Sequence, residues 1–398
     1  MRHFFNDSSL NTFDQIIWWN ILALILFLIF SVAAGQALAI ILILLSIIKV
    51  VKEKKTGITK NPIIILFIIF IVTRILAVIF SEYPQQSLPS LNKEIFFYLV
   101  FFALINFPDI LKKENIKLII RLLIITALVA SLIGTAKVLF GIEERASSTT
   151  SGYYTLGIYL SVIFAMTLVL GKNKEIIYSR VIWGVGLILL MIGILFTQNR
   201  IHWLIVGFFI MIVGITRERI LFLVTSVILL VVILLTPSLS ERFAQLIHFA
   251  QNLSDRDTIW KGAFQIYDLH PLLGFGTKTF REIFPLLNQL TDKGINTWHC
   301  DYLQFYMEGG MVGFISFIML VFSIFYFGIG NLKRIKCDKF LFDINLSVLV
   351  GLSVLFLTAL VGSFFFDPVC SILLQILFAI QVLLLKVEPD KESLTLKD

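Results

Sequence analysis

Twelve apolar stretches, separated mostly by short polar ones, run along the chain. Their approximate spans are 16–34, 36–51, 62–80, 94–107, 118–140, 153–171, 181–197, 201–216, 220–236, 303–329, 344–363 and 368–386. Most are long enough to cross a bilayer at about 1.5 Å per residue. They are continuous, as at 39–48 and 224–235, and do not alternate. In lipid a backbone must satisfy its own hydrogen bonds, as a helix or a closed barrel does. Continuous runs select the helix. The pattern therefore predicts an all-α polytopic membrane protein with about 12 transmembrane helices. One long polar segment, 237–301, breaks the rhythm between the ninth and tenth. It divides the chain into helices 1–9 (1–236), a helical loop domain (237–302), helices 10–12 (303–386) and a tail (387–398). Within the loop, Phe243, Leu246, Ile247 and Ala250 have helical spacing behind Ser240, a possible N-cap. A second helix is expected over 257–269, ended by His270 and Pro271, and a third over 277–290, broken or kinked at Pro285. Such amphipathic helices lie on a membrane surface and here would roof a cavity between the spans.

Composition agrees: 58% of the 398 residues are hydrophobic and 15% charged, against about 25% charged in soluble domains. The net charge of +7 could suggest nucleic acid, but its distribution argues otherwise. Lysine and arginine gather in every second loop: Lys49 to Lys60, Lys112 to Lys117, Lys172 to Arg180, Arg217 with Arg219, and Lys333 to Lys339. By the positive-inside rule these loops and both termini are cytoplasmic. Their lysines are then solvated charges facing anionic lipid, and no nucleic-acid partner is expected. The loops 81–93, 142–152, 197–200, 237–301 and 364–368 face outward. Cys300, Cys337 and Cys370 are too scattered for a disulfide framework, and no CxxC or HExxH spacing supports a metal. No metal or cofactor is expected. The first apolar run lacks a basic leader and a small-residue cleavage site, so it is read as a retained helix.

The outer side holds few cations, so each can be weighed. Arg200 ends Thr197-Gln198-Asn199-Arg200, Arg145 lies in the fifth-to-sixth loop, and Arg256 is in the long loop. Lys137 is near the outer end of the fifth helix and Arg74 is inside the third. A charge inside the membrane costs about 2.5–3.5 kcal/mol on insertion scales, which makes Arg74 a site candidate. Arginine's planar fork suits phosphate oxygens, and several at one depth would suit a pyrophosphate. The alternative for each is an interfacial cation. His299, just before the tenth helix, could act as a general base, or be a loop histidine with ordinary polar partners. The glycines of Leu273-Gly274-Phe275-Gly276 and Glu308-Gly309-Gly310 read as turn or packing glycines.

In order, Thr-Gln-Asn-Arg200, Arg256-x-x-x-Trp260, His270-Pro-Leu-x-Gly-x-Gly and His299-Cys-Asp301-Tyr-Leu-Gln…Glu308-Gly-Gly resemble the O-antigen ligase/polymerase superfamily. The motifs cover about 145–314. The resemblance implies a polytopic GT-C-like glycosyltransferase of the bacterial inner membrane, working at its periplasmic face. It implies an undecaprenyl-diphosphate-linked glycan as donor, lipid A-core as acceptor for a ligase, and neither metal nor nucleotide sugar. It makes Arg200 and Arg256 the binders of the donor diphosphate and His299 the base, and it matches Arg145 to an arginine of the corresponding outer loop; Arg145, and Arg74 from its depth in the membrane, join the diphosphate candidates. Trp260, Asp301 and Lys137 would support them. Where the family usually has asparagine after the histidine, this chain has Cys300. An O-antigen polymerase or a protein O-oligosaccharyltransferase would use the same donor. The more distant alternative is a transporter; the absence of a six-plus-six repeat and of a long central loop weighs against it.

Overall fold

The computed structural model describes residues 11–58, 60–108, 112–216, 226–227, 231, 233–247 and 255–387. Among them all regular structure is helical. Eleven of the twelve expected apolar helices lie in this region. They are α1 (Thr12–Leu28), α2 (Val32–Glu53), α3 (Pro62–Ile79), α4 (Pro84–Ile105), α5 (Lys113–Leu139), α6 (Tyr153–Leu170), α7 (Arg180–Phe196) and α8 (Arg200–Thr216). After the loop segment, which holds α9 (Pro237–Ile247), α10 (Arg256–Ile266) and α11 (Phe280–Ile283), come α12 (Asp301–Arg334), α13 (Lys339–Ala359) and α14 (Pro368–Leu384). Seven of these helices are long and apolar enough to cross a membrane, and α1, α7, α8 and α14 are shorter apolar helices. The protein is thus a polytopic helical membrane protein. Most of the expected ninth helix, His248 with the second half of the first loop helix, and the tail beyond Val387 lie outside the described residues.

Burial sorts the helices. α6 and α14 are buried along nearly their whole length, as apolar-all-round helices must be. α6 packs on α13, α7 and α8. In α3, by contrast, Ile65, Ile68, Ile69 and Val72 are exposed, so that side meets lipid.

The structure departs from the sequence pattern at three places. First, α4 begins at Pro84, not near 94, so most of the expected outer loop 81–93 is helix. Ser87 and Ser90 of its first turns are buried, and the long loop docks there: Thr277 Oγ1 donates to Ser87 O at 2.7 Å, and Ser81 Oγ, just before the helix, to Phe275 O at 2.7 Å. Polar partners replace the apolar signal that marks the other spans. Second, the helix expected over 277–290 is only the one-turn α11 and a 3-10 turn at Leu287–Gln289. Pro285 lies between them; proline lacks the N–H that would continue a helix.

Third, α12 is broken at Gly310, where φ is +61° and ψ −164°. The loop mends the break. Phe275 and Gly276 N–H donate to Met307 and Glu308 O, at 2.9 and 3.0 Å, and Met311 and Val312 N–H donate to Pro271 and Leu272 O, at 2.8 and 3.2 Å. Unpaired backbone groups at membrane depth cost several kcal/mol each, so a broken span needs such a partner. Close approach requires glycine on both sides. A Cβ on Gly274 would lie 2.5 Å from Glu308 C, and one on Gly310 would overlap Leu272. The expected packing role of both glycine pairs therefore has a concrete object.

Candidate active site

The loop between α8 and α12 has its own small core: Ile259, Ala263 and Ile266 of α10 pack with Phe275, Phe280, Phe284 and Trp298. Trp298 is almost fully buried, edge-on to Phe280 at 4.8 Å. This core fixes the two places in the loop that hold candidate site residues, Arg256 at the start of α10 and His299 before α12.

A cavity of about 550 Å³ opens beside it, lined among others by Arg145, Arg200, Arg256 and His299. The four come from three separate stretches of chain, each held by local bonds. Arg200 begins α8 after a tight turn in which Gln198 takes φ +54°. Gln198 Nε2 donates to Glu144 O at 2.9 Å and Ala146 N–H to Phe196 O at 2.8 Å. These bonds draw the Arg145 loop onto the α7–α8 turn. Arg145 stacks over the Tyr153 ring at 4.6 Å. Arg256 Nε and Nη2 donate to Val361 O at 3.2 and 2.7 Å. That carbonyl belongs to the turn between α13 and α14, whose residues 361–363 also line the cavity.

Three of the five non-glycine residues with positive φ among the described residues line this cavity: Gln198, Asp255 and His299, at +54°, +60° and +49°. Each is, or lies within two residues of, one of its charged groups. Backbone in this region is uncommon for residues other than glycine and concentrates at functional sites.

Charge follows geometry. Burial, with Arg256 adding to it, lowers the His299 imidazole below its ordinary 6.5, so the ring is neutral at pH 7 and able to accept a proton. Burial also lowers Arg256 from its ordinary value. For Asp255 burial acts upward, but N–H donors from Thr291 and Asp292, at 3.0 and 3.1 Å, outweigh it and hold the carboxyl below its usual value. Cys300 is the N-cap of α12 and makes no side-chain cap bond; burial raises its thiol. An asparagine there would be a good cap, so the departure removes a helix-start bond.

The remaining expected site residues lie elsewhere. Arg74 is fully buried and does not line the cavity. Its Nε and Nη2 bind both oxygens of Glu94 at 2.9 and 2.8 Å, and Nη2 also meets Glu308 at 2.7 Å. Two carboxylates thus engage this guanidinium, with Nη1 left over, and Arg74 stands apart from the cavity that Arg145, Arg200 and Arg256 line. Lys137 donates to Glu143, Ser147 Oγ and Ser148 O, at 2.9, 3.1 and 2.6 Å, and so braces the Arg145 loop. The Ser147 hydroxyl, and then Lys137, hold the Glu143 carboxyl below its usual value. Asp301 is buried and accepts from Phe364 N–H at 3.0 Å, while its own N–H donates to Gly362 O at 3.2 Å. It pins the 361–364 turn from below. Trp260 is 40% exposed, against Phe264 and away from the cavity lining.

Sequence reasoning missed Tyr153, Tyr154, Asp255, Asp292 and the 361–363 turn as lining residues. Two adjacent tyrosines at the head of an apolar run were the available signal for the first pair. For the turn there was none, since 361–363 reads as the end of a helix.

No curated protein matches the chain. Residues 185–318 match the family model described as O-antigen ligase. The match starts within α7, takes in Arg200, Arg256, His299 and the loop, and ends past the break in α12. It covers both ligases and polymerases, enzymes that act on lipid-linked glycans. Over residues 185–318 this helical membrane protein is thus similar to the O-antigen ligase family.

Proposed function

We propose that the protein is an O-antigen ligase, a GT-C-like glycosyltransferase that moves a glycan from undecaprenyl diphosphate onto lipid A-core. The observation that carries this reading is one cavity lined by Arg145, Arg200, Arg256 and His299. It lies at the end of the bundle where the basic loops are not, and the positive-inside rule supports reading that end as the periplasmic face of the bacterial inner membrane. Neutral His299 takes the proton of the acceptor hydroxyl. The hydroxyl oxygen attacks C1 of the donor sugar from the face opposite the diphosphate. The C1–O bond breaks, and its electron pair leaves on the lipid diphosphate. Charge grows on the departing phosphate, and arginines set around it offset that charge without reorganising. The product has inverted anomeric configuration.

The test is glycan transfer by purified protein, with undecaprenyl-diphosphate-linked glycan and lipid A-core, beside Arg256→Ala and His299→Ala. Transfer by wild type and its loss in both variants is expected. Elongation of the lipid-linked glycan in place of transfer would make the protein a polymerase. Retained configuration in the product would overturn direct displacement.

A further inference from the structure

Tyr154 opens the first turn of α6 and lines the cavity. Its hydroxyl is buried and has no hydrogen-bond partner among the described residues. Two neighbours hold the ring in place. On one side His202 of α8, itself fully buried, lies 5.9 Å away at a tilt of 48°. On the other, Gly362 comes so close that a Cβ there would overlap the hydroxyl. Val361, the residue before Gly362, carries the carbonyl that holds Arg256. The phenol and the Arg256 guanidinium therefore flank the same two residues of backbone, at the wall of one cavity. A buried hydroxyl left without a partner is costly and rare in native proteins. Such a group, at the wall of the cavity and within reach of the Arg256 charge, is placed to complete itself on an anionic oxygen, since a hydrogen bond to a charged acceptor is the stronger kind.

We infer that the Tyr154 hydroxyl donates a hydrogen bond to a phosphate oxygen of the lipid diphosphate, making it a binding residue alongside Arg256. This rests on the reading of the cavity as a diphosphate site. It adds a neutral donor to a set of cations. Its role is to fix the orientation of the phosphate, because a phenol has one donor and one direction, whereas the arginines supply the charge. Gly362 belongs to the same device, since any side chain there displaces the phenol.

The experiment is binding of undecaprenyl diphosphate to the full-length protein in detergent, with undecaprenol as the phosphate-free control. Wild type, Tyr154→Phe and Arg256→Ala are compared, with thermal unfolding of each. Phenylalanine keeps the ring against His202 and removes only the oxygen. The expected result is a Kd for undecaprenyl diphosphate raised about tenfold or more in Tyr154→Phe, with undecaprenol binding and melting unchanged. If Tyr154→Phe binds like wild type while Arg256→Ala is weakened, the tyrosine inference is wrong and the diphosphate site stands. If Arg256→Ala also binds like wild type, the diphosphate site itself is wrong and the inference falls with it. Should Tyr154→Phe fail to fold, 3-fluorotyrosine placed at 154 replaces it. Its fluorine resonance should shift on adding undecaprenyl diphosphate and not undecaprenol; an unmoved resonance overturns the inference.

Discussion

Arg74 gives the sharpest test of the structural reading. The guanidinium is fully buried between two carboxylates, Glu94 and Glu308, and lies 5.1 Å from the Phe305 ring. The three residues tie α3 to α4 and to the break in α12, and Glu308 Oε1 also accepts from Lys278 N–H at 2.9 Å. Arg74→Met keeps most of the side-chain volume but strands two buried acids without their cation. Breaking a buried ion pair on one side costs about 3–5 kcal/mol, or about two to four powers of ten in the ratio of folded to unfolded protein. Replacing all members with uncharged groups removes the stranded charges. The triple variant Arg74→Met, Glu94→Gln, Glu308→Gln should therefore recover most of the loss. Unfolding of the detergent-solubilised protein, by heat and by denaturant, reads both effects, and undecaprenyl diphosphate binding reads the third. The single variant is expected to be strongly destabilised. The triple variant should be close to wild type and should bind undecaprenyl diphosphate normally. A single variant as stable as wild type, or a triple variant that folds and does not bind, would refute the assignment and return Arg74 to the phosphate site.

Two further outcomes follow from the loop and the base. Gly274 takes φ +67° and its Cβ would meet Glu308 C at 2.5 Å, so Gly274→Ala should undock the 270–277 segment, the backbone strain alone costing about 1–2 kcal/mol. Hydrogen exchange at Phe275 and Gly276 should rise well above wild type, while Gly184→Ala, with open space around it, should leave it unchanged. His299 is lowered from 6.5 by burial and by Arg256, so the unfolded chain binds more protons at this group. Its contribution to stability is then present above pH 6.5 and is lost as pH falls through that value toward the lower folded one. The same shift keeps the base neutral, so kcat/KM for transfer should hold from neutrality down past 6.5 and drop only below it. An acid limb centred at or above 6.5 would contradict the burial argument.

Much of the architecture is written in local pattern. The apolar runs place the spans, because only length and side-chain polarity decide whether a helix can sit in lipid, and both are read directly from consecutive residues. The motif order likewise singles out Arg145, Arg200, Arg256 and His299, four polar groups in a chain otherwise built for lipid. What that pattern could not show is which groups meet. Glu94 and Glu308 stand 20 and 234 positions from Arg74, and no spacing rule links them. Alone, Arg74 looks like a ligand group; between two carboxylates it is a tie. The 275–277 segment meets α4 at Ser87, 190 positions away, and Tyr154 joins the cavity because the turn at 361–362 packs against it from more than two hundred residues away. Periodicity reports what one helix wants from its surroundings. Whether a buried charge is satisfied, and by what, is decided only when separate helices are brought into contact, so the candidate chemistry was visible in the sequence while its wiring required the folded chain.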